Sequence, residues 1–200
     1  MQKAEIFNYE IIITTGTRRD GSRDNTTDVA NKIAEEYEFT RSLYCDHFVG
    51  LGHKYREAVQ AATKEYIILI PGDGEFVEDS IVDVLGHIGD EEIIVTYPYN
   101  PEVRQYKRRF ISRGFTVLCN ILFGLNLRYY NGLNVLPRRY LQMVTMESDN
   151  YTYMAEILIY LVKSGVNYIE VPFGIKSPVS SSAFNFRSVF ETLGTLASLF

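Results

Sequence analysis

Apolar residues recur along the chain in two alternating rhythms. "YEIIIT" (9–14) is a short β-branched run that stops at Thr15-Gly16 and reads as a buried strand. The polar loop "TRRDGSRDNTT" (17–27), with an Asp20-Gly21 turn signal, leads into "DNTTDVANKIAEEY", where Val29, Ile33 and Tyr37 fall at helical spacing. "TRSLYC" (40–45) reads as another short strand, and "GLGHKYREAVQAATK" (50–64) as an alanine-rich helix opened by glycines. "EYIILI" (65–70) is the next strand. "EDSIVDVLGHI" (78–88) is the next helix, with acids in its first turn as the helix dipole favours. "EEIIVTY" (91–97) is a third clear strand. This alternation predicts an α/β layer with a mostly parallel sheet.

The second half continues the pattern. Residues 102–123 read as one long helix, basic in its first half and apolar in its second. "LRYYNGLNVLPRR" (127–139) reads as strand and turn around Asn131-Gly132. "YTYMAEILIYLVKSG" (151–165) is a helix closed by Gly165, and "VNYIEVPF" (166–173) a last strand. The tail 184–200 is amphipathic through Phe184, Phe186, Val189, Phe190, Leu193 and Leu196. With no repeat or low-complexity linker, one domain over 1–200 is expected.

Composition narrows the function classes. Hydrophobic residues at 46% and charged residues at 22% of 200 residues mean a globular chain long enough to bury a core. A net charge of −5 excludes general nucleic-acid affinity, which needs a basic surface. Cys45 and Cys119 match no metal spacing and suit a reducing compartment. The longest apolar run, "FTVLCNILFGL" (115–125), falls short of the roughly 20 residues of a spanning helix. "MQKAEIFNYE" carries charges where a signal peptide needs an apolar stretch. The expectation is a cytoplasmic protein that is soluble or sits at the inner face of the membrane.

Two stretches carry candidate chemistry. In "IILIPGDGEFVEDS" (67–80), an apolar run meets Pro71-Gly72-Asp73-Gly74-Glu75. Residues two apart in an extended segment face the same side, so Asp73 and Glu75 could aim together past the strand's carboxyl end, where open α/β sheets bind ligands. Two hard oxygen ligands suit Mg²⁺ or Mn²⁺, with Gly72 and Gly74 admitting a close ligand. A tight turn dressed with solvated acids is the alternative. In "RQYKRRFISR" (104–113), Arg109, Ser112 and Arg113 share one helical face, and Arg104 pairs with Arg108 on another. Arginine forks and a hydroxyl suit a phosphate; a solvated basic face is the alternative. "GLGH" (50–53) is too short for a dinucleotide fingerprint. His47, His53 and His87 are scattered, with no hydrolytic triad.

In this order the segments resemble the family 2 glycosyltransferases of GT-A fold, especially the dolichol-phosphate mannosyltransferase-like branch. "YEIIITTGT…RDNTTDVANKIAEEY" resembles that family's second strand, Asp-Asp-Gly-Ser loop and helix. "GLGHKYREAVQAATKEYIILIPGDGE" is similar to its Gly-x-Gly helix leading to a strand and an Asp-x-Asp-x-Gln metal motif. "RRFISR", "GLNLRYYNGLNVLPRR" and "AEILIYLVKSGVNYIEVPF" match later segments in sequence and spacing. The resemblance implies transfer of a sugar from a nucleotide sugar, with a divalent Mg²⁺ or Mn²⁺ offsetting charge on the leaving diphosphate. It puts Asp73 and Glu75 on the second acid and the Gln of the metal motif. Thr15, Gly16, Gly50, Gly52, Asn131, Gly132 and Lys176 fall on donor-side segments. Arg104, Arg109, Ser112 and Arg113 fall on the segment that binds the phosphate of a polyprenyl acceptor, with peripheral membrane contact and cell-envelope polysaccharide as the setting. Such an acceptor is already ionised at neutral pH and needs no general base.

The departures from the family are specific. Pro71 replaces the first Asp of the metal motif, and Thr14-Thr15 replace a pair of aspartates that help hold the nucleotide. Ser182 replaces a Lys, while Lys176 stands for an Arg. The sequence begins at the family's second strand, which implies an N-terminally truncated member. These losses leave open a member without catalysis that binds a nucleotide or lipid phosphate, or serves as a partner subunit.

Overall fold

The computed structural model describes residues 8–176. It is an α/β arrangement in two hydrogen-bonded sheets. The first joins β1 (Ile11–Gly16) to β2 (Thr40–Cys45) in parallel, through α1 (Thr26–Glu36). The second has the order β3-β5-β4-β6: β3 (Tyr66–Ile68), β4 (Ile93–Pro98), β5 (Val135–Pro137) and β6 (Tyr168–Phe173). β5 is antiparallel to both β3 and β4, while β4 and β6 are parallel. Three strands of this sheet therefore share one direction, and β5 alone is reversed.

β4 is buried on both faces, as a continuous apolar strand requires. Its Ile93 and Val95 enter one core with Cys119, Leu136, Ile157, Leu158 and Leu161. Its Ile94 enters another with Phe76, Val84, Val135, Val171 and Phe173. The helices on these faces are α2 (Leu51–Ala61), α3 (Glu78–Leu85), α4 (Tyr106–Phe123) and α6 (Tyr153–Lys163). A short α5 (Arg138–Leu141) follows β5.

Three expectations need correction. β1 was expected to be buried, yet Ile11 is exposed and Ile12 and Ile13 are only half-buried. Its apolar run is paired to β2 along one edge, and no residue of β1, α1 or β2 belongs to either core cluster. The strand expected over 65–70 pairs only over Tyr66–Ile68, because β5 opposite it is three residues long and Ile68 already faces its first residue, Val135. The single helix expected over 102–123 is broken. A 3-10 turn at Pro101–Val103 gives way to extended backbone at Arg104, and α4 starts only at Tyr106. The amphipathic tail 184–200 lies outside the described residues.

Side chains fix the junctions between layers. Glu10 reaches from the start of β1 to the start of β3, where its Oε1 accepts from the Thr63 and Lys64 amides at 2.5 and 3.0 Å. Burial pushes this carboxyl up, but those amides, the Thr63 hydroxyl and Arg41 pull it further down, to about 2. Gly124, with φ +66°, ends α4, and Asn120 then binds the returning chain through Leu127 and the Tyr130 hydroxyl.

Candidate active site

The segment after β3 is a turn with two very different carboxylates. Gly74 adopts φ +69°, a conformation open to glycine, and the Asp73 Oδ1 accepts the Glu75 amide at 3.1 Å. Asp73 stays exposed. Glu75 is 4% exposed and turned inward. Its Oε1 accepts from Arg104 Nε at 2.7 Å and its Oε2 from Arg108 Nη2 at 3.0 Å. Arg104, 7% exposed, also donates from Nη1 to the Tyr129 hydroxyl at 2.9 Å. Burial works against the Arg104 cation, but Tyr129 and Glu75 outweigh it and hold the guanidinium above its usual pKa.

The break before α4 explains this clamp. Extended backbone at Arg104 and Gln105 lets Arg104 reach inward, and Arg108 follows one turn into the helix. The helical face expected to carry Arg104 and Arg108 together does not form, because Arg104 precedes α4; the two arginines meet instead on the Glu75 carboxylate. The metal-ligand role expected for Glu75 is corrected accordingly: both of its oxygens are held by guanidinium groups. Among the described residues no group of three or more His, Cys, Asp or Glu side chains is arranged to hold a metal ion. The exposed Asp73 is the carboxylate that remains.

Lys176 comes to the same place from the segment after β6. Its amide donates to the Glu75 carbonyl at 2.7 Å, and its Nζ pairs with Glu78. Phe76 and Ile175 form an isolated antiparallel bridge, while the Asn100 side chain clamps Ile175 through both its N–H and its carbonyl. The structure therefore joins Asp73, Glu75, Arg104, Arg108, Tyr129 and Lys176 at the carboxyl end of β3.

The other expected residues are distributed differently. Arg109 lies 5.5 Å from the Tyr106 ring centroid, Arg113 is exposed, and Ser112 contributes its carbonyl to the Thr116 hydroxyl at 3.1 Å. These three run along α4, away from the buried Glu75 clamp. Thr15 is buried at the end of β1 and accepts from the Thr27 hydroxyl at 3.2 Å. A Cβ at Gly16 would press on Cys45 and on the Lys54 side chain, so the end of β1 abuts α2.

Gly50 and Gly52, expected on the donor side, pack closely on the loop at Ser148 and Asp149. A Cβ at either would collide with the backbone of Asp149 or Ser148, and the Gly52 amide already donates to the Asp149 carbonyl at 2.9 Å. Gly132 is similarly pressed on Thr96 of β4, with Asn131 half-buried beside it. No local signal marks the residues that hold these loops. Asn134 accepts the Thr96 amide and donates to the Tyr130 carbonyl. Buried Glu156 accepts the amides of Glu147 and Ser148, and Arg56 pairs with Asp149.

Known proteins share this fold. The sequence profile of glycosyl transferase family 2 matches residues 2–142. A crystal structure of a mycobacterial protein superposes with a TM-score of 0.67 at 14% identity, covering 94% of this chain and 63% of that one. Glucosyl-3-phosphoglycerate synthase from Mycobacterium tuberculosis, in complex with Mn²⁺, uridine-diphosphate-glucose and phosphoglyceric acid, gives 0.66 at 15% identity over 94% and 67%. The same enzyme with Mn²⁺, uridine diphosphate and glucosyl-3-phosphoglycerate gives 0.67 at 15% identity over 94% and 68%. This chain thus spans about two thirds of the length of those proteins, 63% for the first. The fold is GT-A, and the chain belongs to glycosyl transferase family 2.

Proposed function

We propose that this chain transfers a sugar from a nucleoside-diphosphate sugar to a phosphorylated acceptor. The observation that supports the reading is the set of bonds centred on Glu75 at the carboxyl end of β3: its amide donates to exposed Asp73, its carboxylate accepts from Arg108, and its carbonyl accepts the Lys176 amide. That edge is where an α/β sheet receives ligands, and cations there favour a leaving diphosphate. Mn²⁺ or Mg²⁺ would be held by Asp73 together with donor phosphate oxygens, and it would supply further charge compensation on the departing group. A site of one carboxylate fits a hard cation that keeps most of its shell for phosphate and water. Glu75 serves this site indirectly, by fixing Arg104 and Arg108.

The acceptor reading rests on Arg109, Ser112 and Arg113, spaced along α4 so that a phosphate monoester would meet forked donors. A polyprenyl phosphate at the cytoplasmic face of a membrane is the acceptor proposed, and phosphoglyceric acid, bound by the mycobacterial synthase, offers the same chemistry.

Nucleotide release from a panel of nucleotide sugars with Mn²⁺ or Mg²⁺, with a polyprenyl phosphate, with phosphoglyceric acid or with neither, tests the reading. Metal-dependent release that one acceptor accelerates is expected, and Asp73→Ala abolishes it without unfolding the chain. Release by neither metal from any donor would instead support a subunit that binds without catalysis, a reading favoured by Pro71 at the first metal position.

A further inference from the structure

α4 carries two apolar faces, and the cores use only one. Cys119 and Phe123 point into the interior with Thr116, as an amphipathic surface helix requires. On the opposite side Tyr106, Phe110, Val117 and Ile121 form a second stripe, with Gly114 between them and no polar side chain interrupting it. Tyr106 is 70% exposed, Phe110 68% and Ile121 73%, so the stripe is open along about 22 Å of helix. An exposed row of large apolar side chains on this scale marks a contact surface.

Charge identifies the kind of contact. Lys107 lies on one flank of the stripe, and Arg109 and Arg113 lie on the other. From Arg104 to Phe123 there is no acidic residue, although the chain as a whole carries −5. The Arg109 guanidinium sits over the Tyr106 ring, and Tyr106 stacks on Phe110 at 6.4 Å, so the aromatic and cationic groups share one rim. Two copies meeting through this face would bring like-charged helices together. A surface with anionic headgroups over an apolar layer complements both the stripe and its flanks.

We infer that the outward face of α4 docks the protein on an anionic lipid bilayer, with Phe110, Val117 and Ile121 entering the headgroup boundary and Lys107, Arg109 and Arg113 meeting lipid phosphates. Docking brings the acceptor-side residues of α4 to the membrane, and it deepens the lipid-phosphate reading without needing it, since it stands on this helix alone.

Flotation of the 200-residue chain with phosphatidylcholine vesicles, with and without phosphatidylglycerol, tests the inference. The chain is expected to float with the anionic vesicles, to stay behind with the neutral ones, and to be released by salt. The double variant Phe110→Glu, Ile121→Glu, checked for an unchanged circular dichroism spectrum, lowers the bound fraction at least about tenfold. Equal flotation of the variant would put the contact elsewhere, on the tail for instance, and overturn the inference. Absence of flotation, or a dimer of the parent chain that the variant dissociates, overturns it as well. No turnover is measured, so the result is separable from the success or failure of the sugar-transfer assay.

Discussion

Asp73 and Glu75 are two residues apart, yet one faces water and the other lies between two arginines. The difference comes from Gly74, whose positive φ turns the chain so that the two side chains diverge. Their substitutions should part in the same way. Glu75→Ala leaves the Arg104 charge buried with only the Tyr129 hydroxyl, and breaking a buried ion pair from one side costs about 3–5 kcal/mol. Asp73→Ala removes an exposed carboxylate and its one bond to the Glu75 amide, and should cost no more than about 1.5 kcal/mol. Urea unfolding of the two variants beside the parent measures this. Equal, small losses for both would mean that the Glu75 clamp holds nothing together.

At the scale of elements, periodicity made the α/β order readable, because most strands and helices bury one continuous face. β4 is the clearest case: "IIVT" is fully buried, as its unbroken apolar run predicts. What the pattern could not convey was long-range pairing. The clamp joins position 75 to positions 104, 108 and 129, and nothing local distinguishes an acid that meets arginines from one that meets a metal. The resemblance to the family's metal motif suggests the metal, while the neighbouring Phe76 and Val77 point to burial, where an acid needs a cationic partner. The glycines show the same limit. Gly52 in α2 and Gly114 in α4 look alike in sequence, but the first is pressed on the Ser148 carbonyl and the second has nothing near it. Gly52→Ala should therefore cost about 1–3 kcal/mol through overpacking. Gly114→Ala should stabilise the chain by up to about 1 kcal/mol through helix propensity. Thermal midpoints moving in the same direction for the two variants would contradict the packing role given to Gly52.

Across the whole molecule, burial is unevenly shared. Both core clusters are built from residues beyond position 50, on the second sheet and its helices, while β1, α1 and β2 supply Ala30, Thr15 and Thr40 as their buried residues. The hydroxyls of Thr40 and Ser42 on β2 are buried without a hydrogen-bond partner. A layer with few buried apolar contacts opens at lower free energy than the core it leans on. Native-state hydrogen exchange should accordingly find the amides of Ile11–Cys45 opening before those of β4 and α6. The donor-side reading of Thr15 and Gly16 adds a consequence, because a ligand that binds only the closed layer stabilises it by mass action. Uridine or guanosine diphosphate with Mn²⁺ should slow exchange in Ile11–Cys45 and around Asp73, while β4 and α6 change little. Uniform protection of the two sheets in the absence of nucleotide would contradict the uneven burial. A nucleotide effect confined to the second sheet would leave the burial argument intact but remove β1 from the donor site.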